Sequence, residues 1–218
     1  MSNTLTDLYI AGAGGLGKEV LNVLIDSNSE YRFKGFIDNV VLGEVQIGEE
    51  KYKVYSQNED LSKLNLQNSA VFIAVGNPTV LKALHHFYKL KGVVLFPNII
   101  HPTAYIAKSV PMGEGNFIGQ NTVISIDVVI GNFNLINLSS TVGHDCIINN
   151  YNVINPGCNI SGGVVIKDFN LLGTNSTIVQ YVNIENNCTI AAGSMISKDA
   201  IDGSLLVGNP ARIMKINK

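Results

Sequence analysis

Residues 136–166 read INLSSTVGHDCIINNYNVINPGCNISGGVVI, and an aliphatic residue returns at every sixth position of this stretch. The period continues on both sides, so seventeen consecutive sixth positions from Ile100 to Ile196 hold Ile, Val, Leu or Met. The residue four places after each is nearly always small or short, as at Ser140 and Cys146. A period of six fits neither an α-helix nor simple strand alternation. It predicts a solenoid, whose repeats bury their aliphatic side chains only by stacking on one another.

The aliphatic positions predict the core of this solenoid. Each fully buried Ile or Leu contributes roughly 1.5–3 kcal/mol, and repeats that contact only their neighbours add nearly independently. We expect the tight turns between repeats to need positive backbone φ angles, which glycine adopts freely and asparagine tolerates. The predicted residues at these turns are Gly113, Gly119, Gly131, Gly143, Gly173, Asn132, Asn149, Asn155 and Asn186.

Length and charge limit the possible architectures and partners. A chain of 218 residues whose solenoid begins near residue 98 predicts two domains, residues 1–97 and 98–218. A formal net charge of -2, with lysines and arginines scattered along the chain, gives no electrostatic basis for binding nucleic acid. The sequence has no apolar run long enough for a membrane span and no basic region followed by an apolar run at its start. We therefore expect a cytoplasmic protein.

The three cysteines, Cys146, Cys158 and Cys188, all fall on the small fourth position of a repeat. This position is expected to point inward, so the pattern predicts reduced core thiols rather than disulfides or metal ligands. His, Cys, Asp and Glu do not cluster at ligand spacing elsewhere. We expect no metal.

The chain before the solenoid has a different pattern. An apolar strand over Leu8–Ala11 runs into the glycine-rich segment Gly12–Gly17, and a helix follows over Lys18–Ser27. Further strands are predicted at Phe33–Ile37, Ala70–Val75 and Val93–Phe96, with a second helix carrying Leu81, Leu84, Phe87 and Leu90. Strands that alternate with helices predict a small parallel sheet with covering helices, a Rossmann-like α/β domain.

The glycine-rich segment predicts a nucleotide site. Gly12, Gly14 and Gly17 have the dinucleotide-binding spacing, and Asp38 lies at about the distance expected of a ribose-binding acid. The domain is too short for two mononucleotide-binding halves, so a single nucleotide portion fits better. Its phosphate would lie at the helix N-terminus, and Asp38 would accept hydrogen bonds from a ribose or base. The alternative is a tight strand-to-helix turn that binds nothing.

Taken together, the two halves resemble the bacterial sialic acid and nucleotide-amino-sugar acetyltransferases of the sugar O-acyltransferase type, which are hexapeptide-repeat enzymes. The resemblance covers essentially the whole chain and rests on the order and spacing of Gly12-Ala13-Gly14-Gly15, Gly17-Lys18-Glu19-Val20, Phe36-Ile37-Asp38, Ala74-Val75-Gly76-Asn77, Ile100-His101-Pro102, Gly143-His144-Asp145, Pro156-Gly157, Ser161-Gly162-Gly163 and Val207-Gly208-Asn209-Pro210-Ala211-Arg212. It implies an all-β left-handed parallel β-helix with three repeats per turn. It also implies a nucleotide sugar on the N-terminal domain, and acetyl-CoA in the groove between neighbouring solenoids of a homotrimer.

His144 is the residue on which the implied chemistry depends. It lies two places after Val142, at a position of the repeat that is expected to face outward. The resemblance implies that His144 is the general base, that Asp145 orients its imidazole, and that the backbone N–H of Gly162 lies near the acetyl group. An imidazole suits this task because it accepts and returns protons near neutral pH. The alternative is an ordinary surface histidine.

Three other candidate site residues follow from the resemblance. Asn137 matches a position that contacts the sugar, while Thr174 and Ala192 match positions that line the groove for the pantetheine arm. Arg212 is expected to meet the CoA phosphates, with a solvated C-terminal tail as the alternative. The candidates for nucleotide-sugar binding are Gly12, Gly14, Gly15, Asp38, Asn39 and Asn77.

The chain departs from the family pattern at two positions. Leu16 stands where many relatives have a histidine in the glycine-rich loop. Val153, nine residues after His144, stands where relatives commonly have a second histidine near the acetyl carbonyl. The acetyl-binding side is therefore expected to rely on backbone donors.

Three functions follow from these observations. We favour acetyl-CoA-dependent N-acetylation of an amino group on a nucleotide-linked amino-deoxy sugar, by direct transfer. O-acetylation of a sugar hydroxyl, as on sialic acid, would use the same histidine. A non-catalytic nucleotide-sugar-binding scaffold that kept the fold is the third.

Overall fold

The computed structural model describes residues 5–27 and 29–216. The chain separates into two compact units. One runs up to Gly76 and includes Val80–Ile99, and the other holds Asn77–Thr79 and the chain from Ile100 onward.

The first unit is an α/β structure. Its elements are β1 (Thr6–Ala11), α1 (Gly15–Asp26), β2 (Tyr31–Asp38), β3 (Gly43–Ile47), β4 (Glu50–Ser56), two 3₁₀ helices (Leu61–Lys63 and Leu66–Asn68), β5 (Ala70–Ile73) and α2 (Pro78–Leu90), whose first two residues group with the second unit. The strands form one sheet in the order β3-β4-β2-β1-β5, in which β3 and β4 are antiparallel and the other neighbours are parallel. Apolar side chains such as Leu8, Ile10, Phe36 and Phe72 are fully buried.

The predicted pattern of this unit is found with two differences. The strand predicted over 93–96 is reduced to one bridge between Leu95 and Ala70, and Pro97, which follows closely, has no backbone N–H to continue the pairing. The hairpin of β3 and β4 was not predicted. Only Val45 and Val54 of its residues are buried, so it lacks a clear apolar pattern.

From Ile99 the chain forms a column of short strands. Within the described residues, β6–β21 span two residues each: Ile99–Ile100, Tyr105–Ile106, Phe117–Ile118, Val123–Ile124, Val129–Ile130, Leu135–Ile136, Thr141–Val142, Ile147–Ile148, Val153–Ile154, Asn159–Ile160, Val165–Ile166, Leu171–Leu172, Thr177–Ile178, Asn183–Ile184, Thr189–Ile190 and Met195–Ile196. A hairpin of β22 (Ser204–Gly208) and β23 (Ala211–Ile216) follows.

The short strands form three sheets, which are the faces of a three-sided column. The first face contains β6, β8, β11, β14, β17, β20 and the final hairpin, the second contains β7, β9, β12, β15, β18 and β21, and the third contains β10, β13, β16 and β19. Successive two-residue strands of one face pair in parallel, as Val142 does with Ile160.

Three repeats of six make one rung of the column. Side chains at equivalent places on successive rungs bond to backbone groups at a sequence separation of 18, as between Asn116 and Asn134. The aliphatic sixth positions from Ile118 to Ile196 form a continuous buried core. This confirms the predicted solenoid.

The prediction of which residues adopt positive φ was wrong. In every repeat from Met112 to Ile190 the positive φ falls on the third residue after the aliphatic position. These residues are Gly115, Asn121, Asp127, Phe133, Ser139, Asp145, Tyr151, Gly157, Gly163, Phe169, Asn175, Tyr181, Asn187 and Gly193. The glycines directly after the aliphatic position serve close packing instead. A Cβ on Gly143, for example, would lie 2.6 Å from the backbone nitrogen of Gly162 in the next rung.

The turn from the second face to the third, which follows β9, β12, β15 and β18, is the histidine corner. The turn from the third face to the first, which follows β10, β13, β16 and β19, is the asparagine corner.

Polar ladders run along the asparagine corner. Inside the column, the side-chain oxygens of Asn116, Asn134 and Asn152 each accept the backbone N–H of the equivalent residue one rung later, at 2.8–3.0 Å. Outside, the backbone N–H groups of Asn132 and Asn150 donate to side-chain oxygens one rung above, at 2.9 and 2.7 Å. The asparagines thus pair backbone groups between rungs.

Candidate functional site

His144 lies at the surface of the histidine corner. Strand β12 ends at the buried Val142, and the chain turns through Gly143, His144 and Asp145 into β13. The His144 side chain is 57% exposed, and its Nδ1 lies 2.7 Å from Oδ2 of Asp145. Because a carboxylate only accepts hydrogen bonds, neutral His144 carries its proton on Nδ1. Nε2 is then the nitrogen that can accept a proton.

Gly162 lies against the imidazole ring of His144, one rung above. A Cβ added to Gly162 would lie 2.7 Å from both Cε1 and Nε2 of the ring. Any larger residue at this position would displace the imidazole. The proton-accepting nitrogen is therefore next to the Gly162 backbone.

The backbone N–H of Gly162 points out of the column. The preceding carbonyl, on Ser161, accepts a hydrogen bond from Sγ of the buried Cys146 at 3.1 Å, so this carbonyl points inward. In a trans peptide the N–H points opposite to the carbonyl. The equivalent amides of Asn132 and Asn150 are bonded to the rung above. No described residue accepts the Gly162 amide, so it is an outward donor beside Nε2.

The predicted acyl-donor residues do not all meet at this corner. Thr174 and Ala192 are exposed on consecutive rungs of the third corner, which follows β17 and β20. The separation of Thr174 from His144 along the chain is not a whole number of rungs, so the two cannot share a corner. Arg212 is exposed in β23, opposite Val207. Within one chain these residues lie on different parts of the column.

Two further positions are buried in the column. Asn137 is only 7% exposed, and its Nδ2 donates to the carbonyl of Ile154 at 3.1 Å. Val153, where relatives have a second histidine, is 1% exposed on β14.

The cysteines are core residues, as predicted. Cys146, Cys158 and Cys188 are free and buried. Burial raises the pKa of each thiol, which keeps it protonated. Their thiols lie near backbone carbonyls of the column.

In the first unit, the glycine-rich turn leaves β1 at the carboxyl edge of the sheet. Gly12 has φ +109, and a Cβ there would lie 2.5 Å from the carbonyl oxygen of Ala74. A Cβ on Gly17 would overlap the carbonyl oxygen of Gly12. Gly14 and Gly15 are exposed with open space around them at the start of α1. Their position at a helix N-terminus suits an anion.

Asp38 organises this turn, a role that the sequence did not predict. Oδ2 accepts the Ala13 N–H at 2.7 Å and Oδ1 accepts the Val40 N–H at 2.8 Å. Burial acts to raise the pKa of Asp38, but the hydrogen bonds from backbone amides outweigh it, and the pKa is lowered. Both carboxylate oxygens thus already have protein partners.

The other two candidates in the nucleotide region are exposed asparagines. Asn39 follows the end of β2. Asn77 precedes α2, and its Oδ1 accepts the Thr79 N–H at 3.1 Å, as in a helix N-cap. Leu16, where many relatives have histidine, is half-buried in the first turn of α1.

Residues 5–27 and 29–216 contain no group of three or more His, Cys, Asp or Glu side chains placed to hold a metal ion. In the same part of the chain, no helix has the length and apolar character needed to cross a membrane.

Comparison with known sequences finds similarity over parts of the chain. Residues 7–87 match the family described as the PglD N-terminal domain. An uncharacterised protein of Acanthamoeba polyphaga mimivirus is 34% identical over 129 residues, which is 58% of this chain and 24% of that protein. The match spans about a quarter of the length of that relative.

Solved structures are similar over nearly the whole chain. PerB from Caulobacter crescentus, in complex with CoA and GDP-perosamine, has a TM-score of 0.86 and 27% identity, covering 97% of this chain and 98% of that one. The acetyltransferase domain of PglB from Neisseria gonorrhoeae, in complex with acetyl coenzyme A, has a TM-score of 0.86 and 27% identity over 95% and 98%. WeeI from Acinetobacter baumannii has a TM-score of 0.85 and 29% identity over 96% and 100%.

Residues 7–87 thus match the PglD N-terminal domain, and the chain is similar over nearly its whole length to solved sugar acetyltransferases. In this acetyltransferase the α/β unit corresponds to the N-terminal domain of those enzymes, and the column corresponds to their left-handed β-helix.

Proposed function

We propose that this acetyltransferase transfers the acetyl group of acetyl-CoA directly to the amino group of a nucleotide-linked amino-deoxy sugar, with His144 as general base. The observation that carries the proposal is the pair of groups at the histidine corner: Nε2 of His144, oriented through Asp145, lies beside the outward N–H of Gly162. The similarity to an enzyme solved with CoA and GDP-perosamine supports this class of substrates.

The transfer proceeds without a covalent enzyme intermediate. The sugar amine attacks the thioester carbonyl, and Nε2 of His144 takes a proton from the amine as the carbon–nitrogen bond forms. The carbon–sulfur bond then breaks, and the imidazolium returns the proton to the CoA sulfur. The Asp145 carboxylate stabilises the charged imidazole. A general base of this kind contributes about 10²- to 10⁴-fold in rate.

The Gly162 N–H supplies the donor for the carbonyl oxygen, which gains negative charge during attack. A fixed donor at such an oxygen contributes about 10²- to 10³-fold. Val153, where relatives have a second histidine, is apolar and buried, so it supplies no polar group to the carbonyl oxygen. The backbone amide therefore carries this role.

The nucleotide sugar binds to the first unit. Its phosphates lie at the N-terminus of α1, where Gly14 and Gly15 leave open space. Asp38 holds the loop in shape, and the exposed Asn39 and Asn77 contact the nucleotide. The Nδ2 of Asn137 bonds within the column, which leaves its side-chain oxygen for the sugar.

The functional form is a homotrimer in the cytoplasm. Thr174 and Ala192 lie on a different corner from His144, so a groove that combines them needs a second chain. A neighbouring column would supply the pantetheine-lining residues to the histidine corner. Arg212 would meet the CoA phosphates.

The test is thiol release from acetyl-CoA by the purified protein, with an amino-sugar nucleotide and its hydroxyl analogue as acceptors. We expect release with the amine alone, and His144→Ala to lower kcat by about 10²- to 10⁴-fold. His86→Ala, which changes an exposed histidine of α2, is the matched control and should keep full activity. Release with the hydroxyl analogue alone would identify an O-acetyltransferase. Sugar-nucleotide binding without CoA binding or turnover would identify a scaffold.

A further inference from the structure

The aromatic ring of Tyr181 covers Gly163 on the histidine corner. Tyr181 lies one rung above Gly163, and its ring atoms Cδ1 and Cε1 occupy the space where a Cβ of Gly163 would be. The Tyr181 N–H donates to the carbonyl of Gly162 at 3.1 Å. Its backbone is therefore fixed on the Gly162–Gly163 segment, while the residue is 69% exposed.

This arrangement differs from the asparagine corner. There the rings of Phe133, Tyr151 and Phe169, at the same position of the repeat, stack almost parallel at 5.3–5.5 Å. The residue beneath Tyr181 is a glycine, and no ring of the described residues stacks on Tyr181. The ring rests on bare backbone because Gly163 has no side chain.

His144 and Tyr181 thus border the same two glycines from opposite directions along the column. The imidazole reaches Gly162 from the rung below, and the phenol ring reaches Gly163 from the rung above. The outward N–H of Gly162 belongs to the same segment. The Gly162–Gly163 segment therefore has the imidazole against one glycine and the aromatic ring against the other.

We propose that Tyr181 determines acyl-chain specificity, and this inference rests on the proposed function. An acyl group whose oxygen accepts the Gly162 N–H, beside His144, lies on the segment that the Tyr181 ring covers from the rung above, and its chain extends toward that ring. A methyl group fits there, whereas a longer chain must displace the ring. Tyr181 therefore selects acetyl over longer acyl-CoA thioesters.

The test compares kcat/KM for acetyl-, propionyl- and butyryl-CoA with one amino-sugar acceptor. Tyr181→Asn removes the ring and keeps a residue type that tolerates the φ of +61. We expect this variant to lower the preference for acetyl over propionyl by about 10-fold or more, the range typical of one methylene in a pocket. Tyr181→Phe keeps the ring and should keep the preference.

Tyr151→Asn is the matched control, because Tyr151 has the same place in the repeat and a φ of +57 on the asparagine corner. It should leave the acetyl-to-propionyl ratio unchanged. An active Tyr181→Asn protein with the wild-type ratio would overturn the inference and leave the proposed function standing. A wild-type protein that turns over none of the three thioesters would overturn both. If Tyr181→Asn does not fold, Tyr181→Leu, judged by the same ratio, decides the question.

Discussion

At the scale of the residue, glycine has two different uses in this column. Gly163 and three other glycines adopt the positive φ that recurs in each repeat from Met112 to Ile190, yet ten residues other than glycine adopt it too. Gly143 and Gly162 instead provide space, for the backbone of the next rung and for the His144 ring respectively. The sequence alone did not separate these uses, because a glycine in the sequence does not show whether a positive φ or a close backbone approach requires it.

Gly162→Ala should damage catalysis and spare the fold. The new Cβ would lie 2.7 Å from Nε2 of His144, an exposed side chain that can move aside, and Gly162 needs no positive φ. Moving the imidazole by about 1 Å should lower kcat by about 10²-fold. Steady-state kinetics beside a thermal melt would check this, and a variant with wild-type kcat would contradict the proposed role of the imidazole.

Asp38→Asn should destabilise the first unit in a pH-dependent way. The unfolded carboxyl has a pKa of about 3.9, and the folded value is lower. The carboxylate's contribution is therefore complete above about pH 4 and is lost as the pH falls through the folded pKa. Urea unfolding should show a gap between wild type and variant at pH 7 that narrows below about pH 4.

Asp127→Asn, which changes an exposed aspartate of the column, should give no such gap at either pH. A wild-type–Asp38→Asn difference that stays constant down to about pH 3 would show that the backbone amides do not bind the charged form preferentially.

At the scale of the element, strands of only two residues are stabilised by the turns that connect them, where asparagine side chains bond to the backbone of the next rung. The aliphatic period predicted the strands and their inward residues, because a period of six fits neither an α-helix nor simple strand alternation. The asparagine ladders were not predicted, because they depend on contacts between residues a full rung apart. The β3–β4 hairpin was missed for a related reason: its exposed residues form no apolar pattern.

Asn152→Ala should be costly. Its Oδ1 accepts the buried backbone N–H of Asn170 at 2.9 Å, and its Nδ2 donates to Asn134 at 3.1 Å. Leaving a buried donor unpaired costs about 1–3 kcal/mol. Chemical denaturation should show this loss.

Asn150→Ala offers the matched comparison on the outer ladder. Its partner, the N–H of Asn132, belongs to an exposed residue and can bond to water instead. We expect a loss below about 1 kcal/mol. Equal losses of unfolding free energy for Asn152→Ala and Asn150→Ala would contradict a larger contribution of the buried asparagines.

At the scale of the whole molecule, the rung of three repeats is the unit of construction. The sequence predicted the column and the outward position of His144, because both follow from the period. It did not predict that Thr174 and Ala192 lie on another corner. Residues that share a proposed ligand need not share a face when the groove is formed by two chains.

Deleting residues 121–138 should shorten the column by one rung and leave it folded. The cut keeps the repeat in phase and brings the buried Phe117 below the buried Val153. Stability should fall modestly, as expected when one repeat of a solenoid is lost. Circular dichroism and the denaturation midpoint measure the outcome.

Deleting only residues 121–132 is the stricter comparison. It also keeps the repeat in phase but shifts later strands by one face, so that Phe117 comes to lie below the exposed Ile147. This protein should be less stable than the full-rung deletion, although it loses fewer residues. The opposite order would contradict the three-faced register.

The hairpin of β22 and β23 affects whether another chain can add to the last strand of the first face. Parallel strands stacked in register resemble the core of a fibre, and an open final strand would template the addition of another chain. On the first face, β22 pairs with β20 and the chain then reverses direction into β23. A reversed strand breaks the repeating register on this face, so we expect the hairpin to disfavour end-to-end polymerisation.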